Sequence, residues 1–145
     1  MKKIFFLFLV LFCMTGYSQE KDLPQKVASA IQEKYAGARI EAWWFENEFY
    51  YIDFAIAGRS YTAAFDQDGV WKETAEIISE MDLPQSLNDF LKSSYPSGRI
   101  SYCEEVEDRD LQKFIRVSML DAENNFHTIH SDRDGKNIVI QPTDS

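Results

Sequence analysis

Two short runs of alternating aspartates before a glycine are the residues of this chain best suited by spacing to chemistry. Asp66-Gln67-Asp68-Gly69 has a counterpart in Asp132-Arg133-Asp134-Gly135. Carboxylates spaced two apart before a glycine resemble the start of a calcium-binding loop. An EF-hand loop, however, places its glycine later and closes with a bidentate Glu, and neither feature is present here. An Asp-Gly hairpin turn is therefore the favoured interpretation, with calcium binding as the alternative.

The chain's other reactive side chains do not form a catalytic or metal-binding pattern. His127 and His130 are the only histidines, and three residues apart on a strand they face opposite sides of a sheet. A zinc site needs three or four converging ligands. Ser118 and Ser131 stand near these histidines without a glycine-rich oxyanion loop. The sequence therefore predicts no catalytic residue, no metal ligand and no cofactor.

Acidic residues leave one enzymatic hypothesis open. The chain has 24 Asp and Glu residues, and glycan hydrolysis needs only a pair of carboxyl groups facing one cleft about 5–10 Å apart. Nothing in the sequence selects a pair. Cys103 offers no better nucleophile, because the neighbouring acids would raise the pKa of its thiol. We expect Cys103 to be a packed, inert thiol.

The strongest candidate for a functional surface is an aromatic stretch, Trp43-Trp44-Phe45 with Phe49-Tyr50-Tyr51. Neighbouring strand residues face opposite sides, so one tryptophan should lie in the core and the other on an open face. Tyr and Trp are common binding hot spots. We predict partner-binding residues on that face, and an alternative is that it is covered by internal packing or dimerisation. The predicted residues are Trp43, Phe49, Tyr51, Tyr102 and Glu104; the acids near Glu104 favour a partner that carries Lys or Arg.

The elements that must position these residues are predicted from hydrophobic spacing. A helix of about eleven residues follows each of two Leu-Pro pairs and ends at Ala36-Gly37 or at Pro96-Ser97-Gly98. Residues 74–81 are predicted as an extended connection or a short helical turn, with Ile77 and Ile78 packed inward. The predicted strands are 39–45, 49–56, 60–65 and 70–73, and then 99–106, 114–120, 125–131 and 136–140.

These elements follow an internal repeat. Asp22-Leu23-Pro24-Gln25 returns as Asp82-Leu83-Pro84-Gln85, which indicates one supersecondary unit used twice. The predicted fold class is α+β, a tandem repeat of a helix followed by an antiparallel sheet of three to four strands per copy, with the helices on one sheet face. The copies span residues 22–81 and 82–141, both within one structural domain.

The N-terminus is predicted to be an export signal at residues 1–18. Two lysines precede an apolar run at 4–14, which is too short for a bilayer span of roughly twenty residues. Cleavage removes two lysines and no acids, so the formal charge moves from −9 to −11. A strongly acidic chain is a poor ligand for nucleic acid or anionic lipid. We therefore expect an exported protein, periplasmic or secreted, that does not span the membrane.

The sequence resembles the PepSY-like family of small exported proteins of Bacteroidetes, described as beta-lactamase-inhibitor-like. The resemblance covers the whole chain after the signal and is fullest in the first copy; in the second, Asn137 replaces Trp71. It implies repeats of that family at 22–81 and 82–141, and a binding or inhibitory role without catalytic residues. The residues that carry it are Leu23-Pro24, Tyr35, Trp43-Trp44, Tyr51 and Phe65-Asp66-Gln67-Asp68-Gly69-Val70-Trp71.

The functional hypothesis is a non-enzymatic exported binding module that docks a protein or peptide on an open aromatic and acidic sheet face. Inhibition of an envelope enzyme is one form of it. The alternative is an envelope sensor that responds to calcium or a small ligand through the Asp-x-Asp-Gly turns.

Overall fold

The computed structural model describes residues 22–142, so the predicted export signal lies outside the described residues. Two helices and eight strands make up this region, with a single 3-10 turn at Glu80–Asp82. In chain order they are α1 (Gln25–Lys34), β1 (Arg39–Glu46), β2 (Phe49–Ile56), β3 (Arg59–Asp66), β4 (Trp71–Ile78), α2 (Gln85–Ser94), β5 (Arg99–Asp108), β6 (Lys113–Leu120), β7 (Phe126–Asp132) and β8 (Val139–Gln141).

The predicted tandem repeat of a helix followed by its own sheet is wrong. All eight strands form one antiparallel sheet in the order β1 to β8. The two halves are joined along β4 and β5, where Glu73 pairs with Asp108 and Ile78 pairs with Cys103. Unpaired backbone N–H and C=O groups at a strand edge cost free energy when they are buried, and when they are exposed they tend to pair with strands of other molecules. Pairing the inner edges of the two halves satisfies both strands, so one sheet forms instead of two.

Both helices begin directly after a Leu-Pro pair, as predicted. Pro24 and Pro84 occupy the N-cap positions, with φ of −53° and −54°, and a missing N–H does no harm there. Each helix buries two aliphatic side chains one turn apart: Val27 and Ile31 in α1, Leu87 and Leu91 in α2. Spacing of this kind aligns an apolar stripe along a helix, which fixes the side that faces the sheet.

The two helices cover the same face of the sheet. Directly paired strand residues share a face, and Ala63, which packs with α1, pairs with Thr74. Four residues along β4, Ile78 pairs with Cys103, which packs with α2. The helix-covered face therefore carries two hydrophobic clusters, one under each helix, and the opposite face is left without a helix.

Four of the turns between strands share one aspartate-based structure. In each, Oδ1 of the first Asp accepts hydrogen bonds from the backbone N–H groups two and four residues later, at 2.8–3.0 Å. The residue three positions on has a positive φ. These bonds keep the pKa values of Asp66 and Asp132 below the usual range, chiefly through the N–H groups of Val70 and Lys136. The four aspartates are Asp66, Asp108, Asp121 and Asp132.

The two Asp-x-Asp-Gly turns also support the helix N-termini. A Cβ on Gly69 would lie 2.8 Å from the carbonyl oxygen of Lys26, and one on Gly135 would lie 2.7 Å from Cβ of Pro84. Ser86 donates a 2.8 Å hydrogen bond to the carbonyl oxygen of Asp134. Glycine is therefore required at each turn for two reasons: the residue has a positive φ, and the helix approaches too closely for a Cβ.

The predicted strands are present with small changes of boundary, but one connection differs. Residues 74–78, predicted as an extended connection or helical turn, continue β4. Ile78 packs against the cluster beneath α2, whereas Ile77 is 70% exposed on the opposite face. The prediction that both isoleucines pack inward is therefore wrong for Ile77, because adjacent residues of a strand point to opposite faces.

Candidate functional site

The helix-free face of the sheet, called here the open face, contains a concavity of about 810 Å³. Small side chains such as Ala64, Thr62 and Ala75 lie near its middle, on β3 and β4. Large rings lie at its two ends. This distribution of side-chain size, added to the twist of the sheet, makes the face concave. Its lining extends from β1 to β7, so it is a broad trough in the sheet surface.

One end of the trough is formed by a pair of stacked rings. Trp44 of β1 pairs with Tyr51 of β2, and their ring centroids are 5.4 Å apart with planes inclined by 13°. Trp44 is 40% exposed. Its neighbour Trp43 points to the helix-covered face and packs against the cluster beneath α1. Trp44, not Trp43, is therefore the tryptophan of the open face.

The opposite end is formed by exposed apolar residues from three strands. Tyr102 of β5 and Phe126 of β7 are each 44% exposed, and Ile77 of β4 lies with them in the lining. Rings that stand on a rigid sheet lose little conformational entropy when they are covered by another molecule. The trough thus offers apolar contact area at both ends.

An ion-pair network lies between the two ends. Arg116 of β6 donates from Nε to Glu104 at 2.7 Å and from Nη1 to Glu73 at 2.8 Å. Glu104 is only 9% exposed. Burial acts to lower the pKa of Arg116, but the charges of Glu73 and Glu104 outweigh it and raise that pKa. The network joins β4, β5 and β6 and holds the centre of the face in one arrangement.

His130 stands directly opposite Arg116 in the pairing of β6 with β7. Its Nδ1 accepts from the Gln141 amide nitrogen at 3.2 Å, since an amide nitrogen can only donate. Within residues 22–142 its Nε2 is buried without a hydrogen-bond partner. Burial, and then the charge of Arg116, lower the pKa of His130. The imidazole is therefore neutral at neutral pH and adds no charge to the face.

The trough is acidic overall. Five carboxylates and a single guanidinium line it. Burial and then the nearby charges of Glu73 and Glu46 raise the pKa of Tyr51, which Arg116 only partly offsets. The carboxylates therefore make the electrostatic potential negative at the aromatic end of the trough as well as at its centre.

Three of the five predicted site residues line the trough, Tyr51 and Tyr102 at its opposite ends and Glu104 between them. Trp43 lies on the covered face, as described above. Phe49 shares the strand face of Tyr51 but stands outside the lining, with Lys72 Nζ 6.0 Å from its ring centroid. The binding role of all five stays a prediction.

Sequence reasoning missed Trp44 and Arg116. Alternation along β1 showed that the two tryptophans face opposite sides, but only the register with β2 decides which one stands beside Tyr51. The residues next to Arg116 in the sequence do not indicate its role in an ion-pair network, because its partners Glu73 and Glu104 come from β4 and β5. Pairing across strands was the missing information.

Two carboxylates of the trough and the thiol of Cys103 bear on the catalytic hypotheses. Glu73 and Glu104 both accept hydrogen bonds from Arg116, which balances their charge. In the described region no three His, Cys, Asp or Glu side chains are grouped so that they could hold a metal ion. Cys103 is buried on the covered face, and burial followed by Glu80 and Glu104 raises the pKa of its thiol to about 11.

Neither helix of residues 22–142 combines the length and hydropathy needed to cross a membrane.

Solved structures with the same fold come from Bacteroides species. A DUF2874 family protein of Bacteroides uniformis has a TM-score of 0.66 at 19% identity, covering 83% of this chain and 89% of that one. A protein of Bacteroides eggerthii described as "putative periplasmic" has a TM-score of 0.65 at 18% identity, covering 83% of this chain and 88% of that one. A BLIP-like protein of Bacteroides fragilis has a TM-score of 0.60 at 20% identity, covering 82% and 86%. At these identities the likeness concerns the fold.

Comparison with curated proteins gave no match. A family described as "Putative beta-lactamase-inhibitor-like, PepSY-like" matches residues 48–136, which is more than half of the chain. The matched region runs from the β1–β2 hairpin to the last Asp-x-Asp-Gly turn. The chain therefore belongs to the PepSY-like, beta-lactamase-inhibitor-like family.

Proposed function

We propose that the chain is a non-enzymatic exported binding module that docks a protein or peptide in the trough of the open face. The observation that carries this proposal is the arrangement of the trough itself. Aromatic rings stand at both ends, Trp44 with Tyr51 and Tyr102 with Phe126, and an Arg116-centred ion-pair network lies between them.

The dimensions of the trough favour a polypeptide over a small metabolite. Its lining reaches from β1 to β7, and strands lie about 4.8 Å apart, so it spans roughly 30 Å across the sheet. A small ligand is usually enclosed on most sides, whereas this trough is open along its length. Separated aromatic anchors with a polar region between them are typical of protein interfaces.

The family description supports an inhibitory form of this binding. A binding module becomes an inhibitor when its partner is an enzyme and the docked surface includes the active site. The BLIP-like neighbour and the neighbour described as periplasmic agree with an envelope partner, as does the predicted export signal. Fold likeness alone does not assign function, so the enzyme has to be found by experiment.

The proposal is tested by capture from envelope extract followed by affinity measurement with the purified partner. The bait is the chain without residues 1–18, beside a Tyr51→Ala, Tyr102→Ala double variant whose circular dichroism matches the wild type. We expect the double variant to bind the partner at least tenfold more weakly, because an aromatic contact is removed at each end of the trough.

Phe45→Ala is the matched control for this experiment. Phe45 is 48% exposed but lies on the covered face of β1, so its loss should leave the affinity unchanged. Equal affinity of the wild type and the double variant, or an equal loss in Phe45→Ala, would show that the trough is not the docking surface. If the partner is an enzyme, its turnover in the presence of the bait tests inhibition directly.

A further inference from the structure

Trp44 and Tyr51 form one end of a row of residues that crosses four strands. Trp44 pairs with Tyr51, Tyr51 pairs with Ala64, and Ala64 pairs with Glu73. Tyr51 therefore has an indole on one side and, beyond a small methyl side chain, a carboxylate on the other. An aromatic surface flanked by negative charge attracts a cation to the ring faces.

Glu46 supplies negative charge that the chain itself does not neutralise. It stands two residues after Trp44 on the same face of β1, and its side chain is exposed in the lining of the trough. Glu73 and Glu104 are bonded to Arg116, and Glu41 pairs with Arg39. Among residues 22–142, by contrast, the Glu46 carboxylate has neither an ion pair nor a hydrogen bond from a side chain.

Three partly buried rings elsewhere in the described chain have a lysine of the chain placed over them. Lys34 Nζ lies 3.6 Å from the centroid of Trp71 and 5.5 Å from that of Tyr35, and Lys72 Nζ lies over Phe49. Within the described region no Lys or Arg of the chain is placed over Trp44 or Tyr51. Within residues 22–142 the chain itself therefore places no cation over this ring pair, which stays open to a cation from another molecule.

We infer that Trp44, Tyr51 and Glu46 form a site for a basic side chain, best an arginine, of the docked polypeptide. This inference rests on the proposed function and names the chemistry of its partner. A guanidinium is planar and weakly hydrated, stacks on aromatic rings and bonds a carboxylate with two N–H groups. The stacked rings supply the flat surface, and Glu46 supplies the acceptor at its edge.

The overall charge distribution agrees with a basic partner. The trough is lined by five carboxylates against one guanidinium, and the whole chain has 24 acids against 15 bases. An acidic segment would be repelled from this end of the trough, whereas a basic one would be steered towards it at low ionic strength.

The site is tested with a small probe on the chain lacking residues 1–18. N-acetyl-argininamide and its uncharged analogue N-acetyl-citrullinamide, nearly identical in shape, are titrated while the indole N–H resonance of Trp44 is followed by NMR. We expect a saturable shift with the arginine compound, binding at least tenfold weaker with the citrulline compound, and weakening of the arginine compound as salt is added.

Variants locate the binding on the proposed residues. Glu46→Gln should weaken binding of the arginine probe about three- to fivefold, the range of an exposed ion pair, and Tyr51→Ala should weaken it at least as much. Glu48→Gln, an exposed acid in the adjoining turn, is the matched control and should leave it unchanged. Equal shifts with both probes, a shift that does not saturate, or an equal loss in Glu48→Gln would overturn the inference.

Failure of this site and failure of docking give different results. If a partner binds the wild type more tightly than the Tyr51→Ala, Tyr102→Ala variant while the arginine probe does not bind, docking is supported and the basic-side-chain site is rejected. Conversely, if the arginine probe binds at Trp44 while the envelope extract yields no partner whose binding depends on the trough, the site is supported and docking is rejected.

Discussion

Arg116 balances the charge of two carboxylates on the open face, and one of them, Glu104, is nearly buried. Replacing Arg116 with Met keeps most of the aliphatic packing but leaves Glu73 and Glu104 without their cation. A partly buried carboxylate that loses its partner is costly, and we expect the free energy of unfolding to fall by about 2 kcal/mol. Urea denaturation followed by circular dichroism measures this loss.

The control for Arg116 is Arg59→Met. Arg59 forms an ion pair with Glu76, but its side chain is 63% exposed. An exposed pair contributes less than about 1 kcal/mol, so this variant should stay close to the wild type. Equal losses in the two variants would mean that the central network has no special role in stability.

Cys103 is predicted to be unreactive in the folded protein. Its side chain is 1% exposed, and burial, followed by the charges of Glu80 and Glu104, raises the pKa of its thiol to about 11. Two pKa units reduce the thiolate at neutral pH about a hundredfold. We expect labelling by a thiol-reactive disulfide reagent at pH 7.5 to be at least about a hundredfold slower than in urea. Rapid labelling of the native protein would contradict the buried placement.

At the scale of elements, the Asp-x-Asp-Gly turns support the helices they touch. Gly135→Ala would place a methyl group against Pro84 and Ser86 at the start of α2 and force alanine to a φ of +73°. We expect a loss of about 3 kcal/mol in the free energy of unfolding, the sum of backbone strain and overpacking.

Gly58→Ala separates those two contributions. Gly58 has a φ of +77°, but a Cβ there would have no neighbour within 4 Å. Only the backbone cost of about 1 kcal/mol should appear in this variant. Equal losses for Gly58→Ala and Gly135→Ala would show that the contact between turn and helix does not matter for stability.

The same turns are expected not to respond to calcium. Oδ1 of Asp66 accepts from the N–H groups of Asp68 and Val70, and Oδ2 pairs with Lys72 at 3.0 Å. Its oxygens are thus already engaged by the turn, as is Oδ1 of Asp132. We expect the melting temperature to be unchanged by millimolar calcium, measured against the same concentration of magnesium. A rise specific to calcium, and lost in Asp66→Asn, would favour the sensor hypothesis.

At the scale of the whole molecule, the pairing of β4 with β5 should make unfolding a single transition. The three tryptophans, Trp43, Trp44 and Trp71, belong to the first half of the sheet, and Cys103 belongs to the second. Tryptophan fluorescence and Cys103 labelling therefore report the two halves separately. We expect the same urea midpoint from both probes. Distinct midpoints would mean that the halves unfold as independent units.

Local pattern was enough to place most elements but not to assemble them. The Leu-Pro starts, the glycine turns and the alternation in β2 each rest on interactions within a few residues of the chain, so the helices and most strands were predictable. The union of β4 with β5 was not, because α2 and its flanking turns separate these strands and no hairpin joins them. A repeat in sequence therefore suggested two sheets where the structure has one.

The acidic charge, the helix starts, the turns and the likeness to the PepSY-like family could all be predicted from the residues, because they depend on composition and short-range chemistry. Only the assembled sheet brings Trp44 beside Tyr51 and places Arg116 against Glu73 and Glu104. Each of these depends on strand register, and register brings together residues that lie far apart in the chain. The open trough exists only once the eight strands are in one sheet.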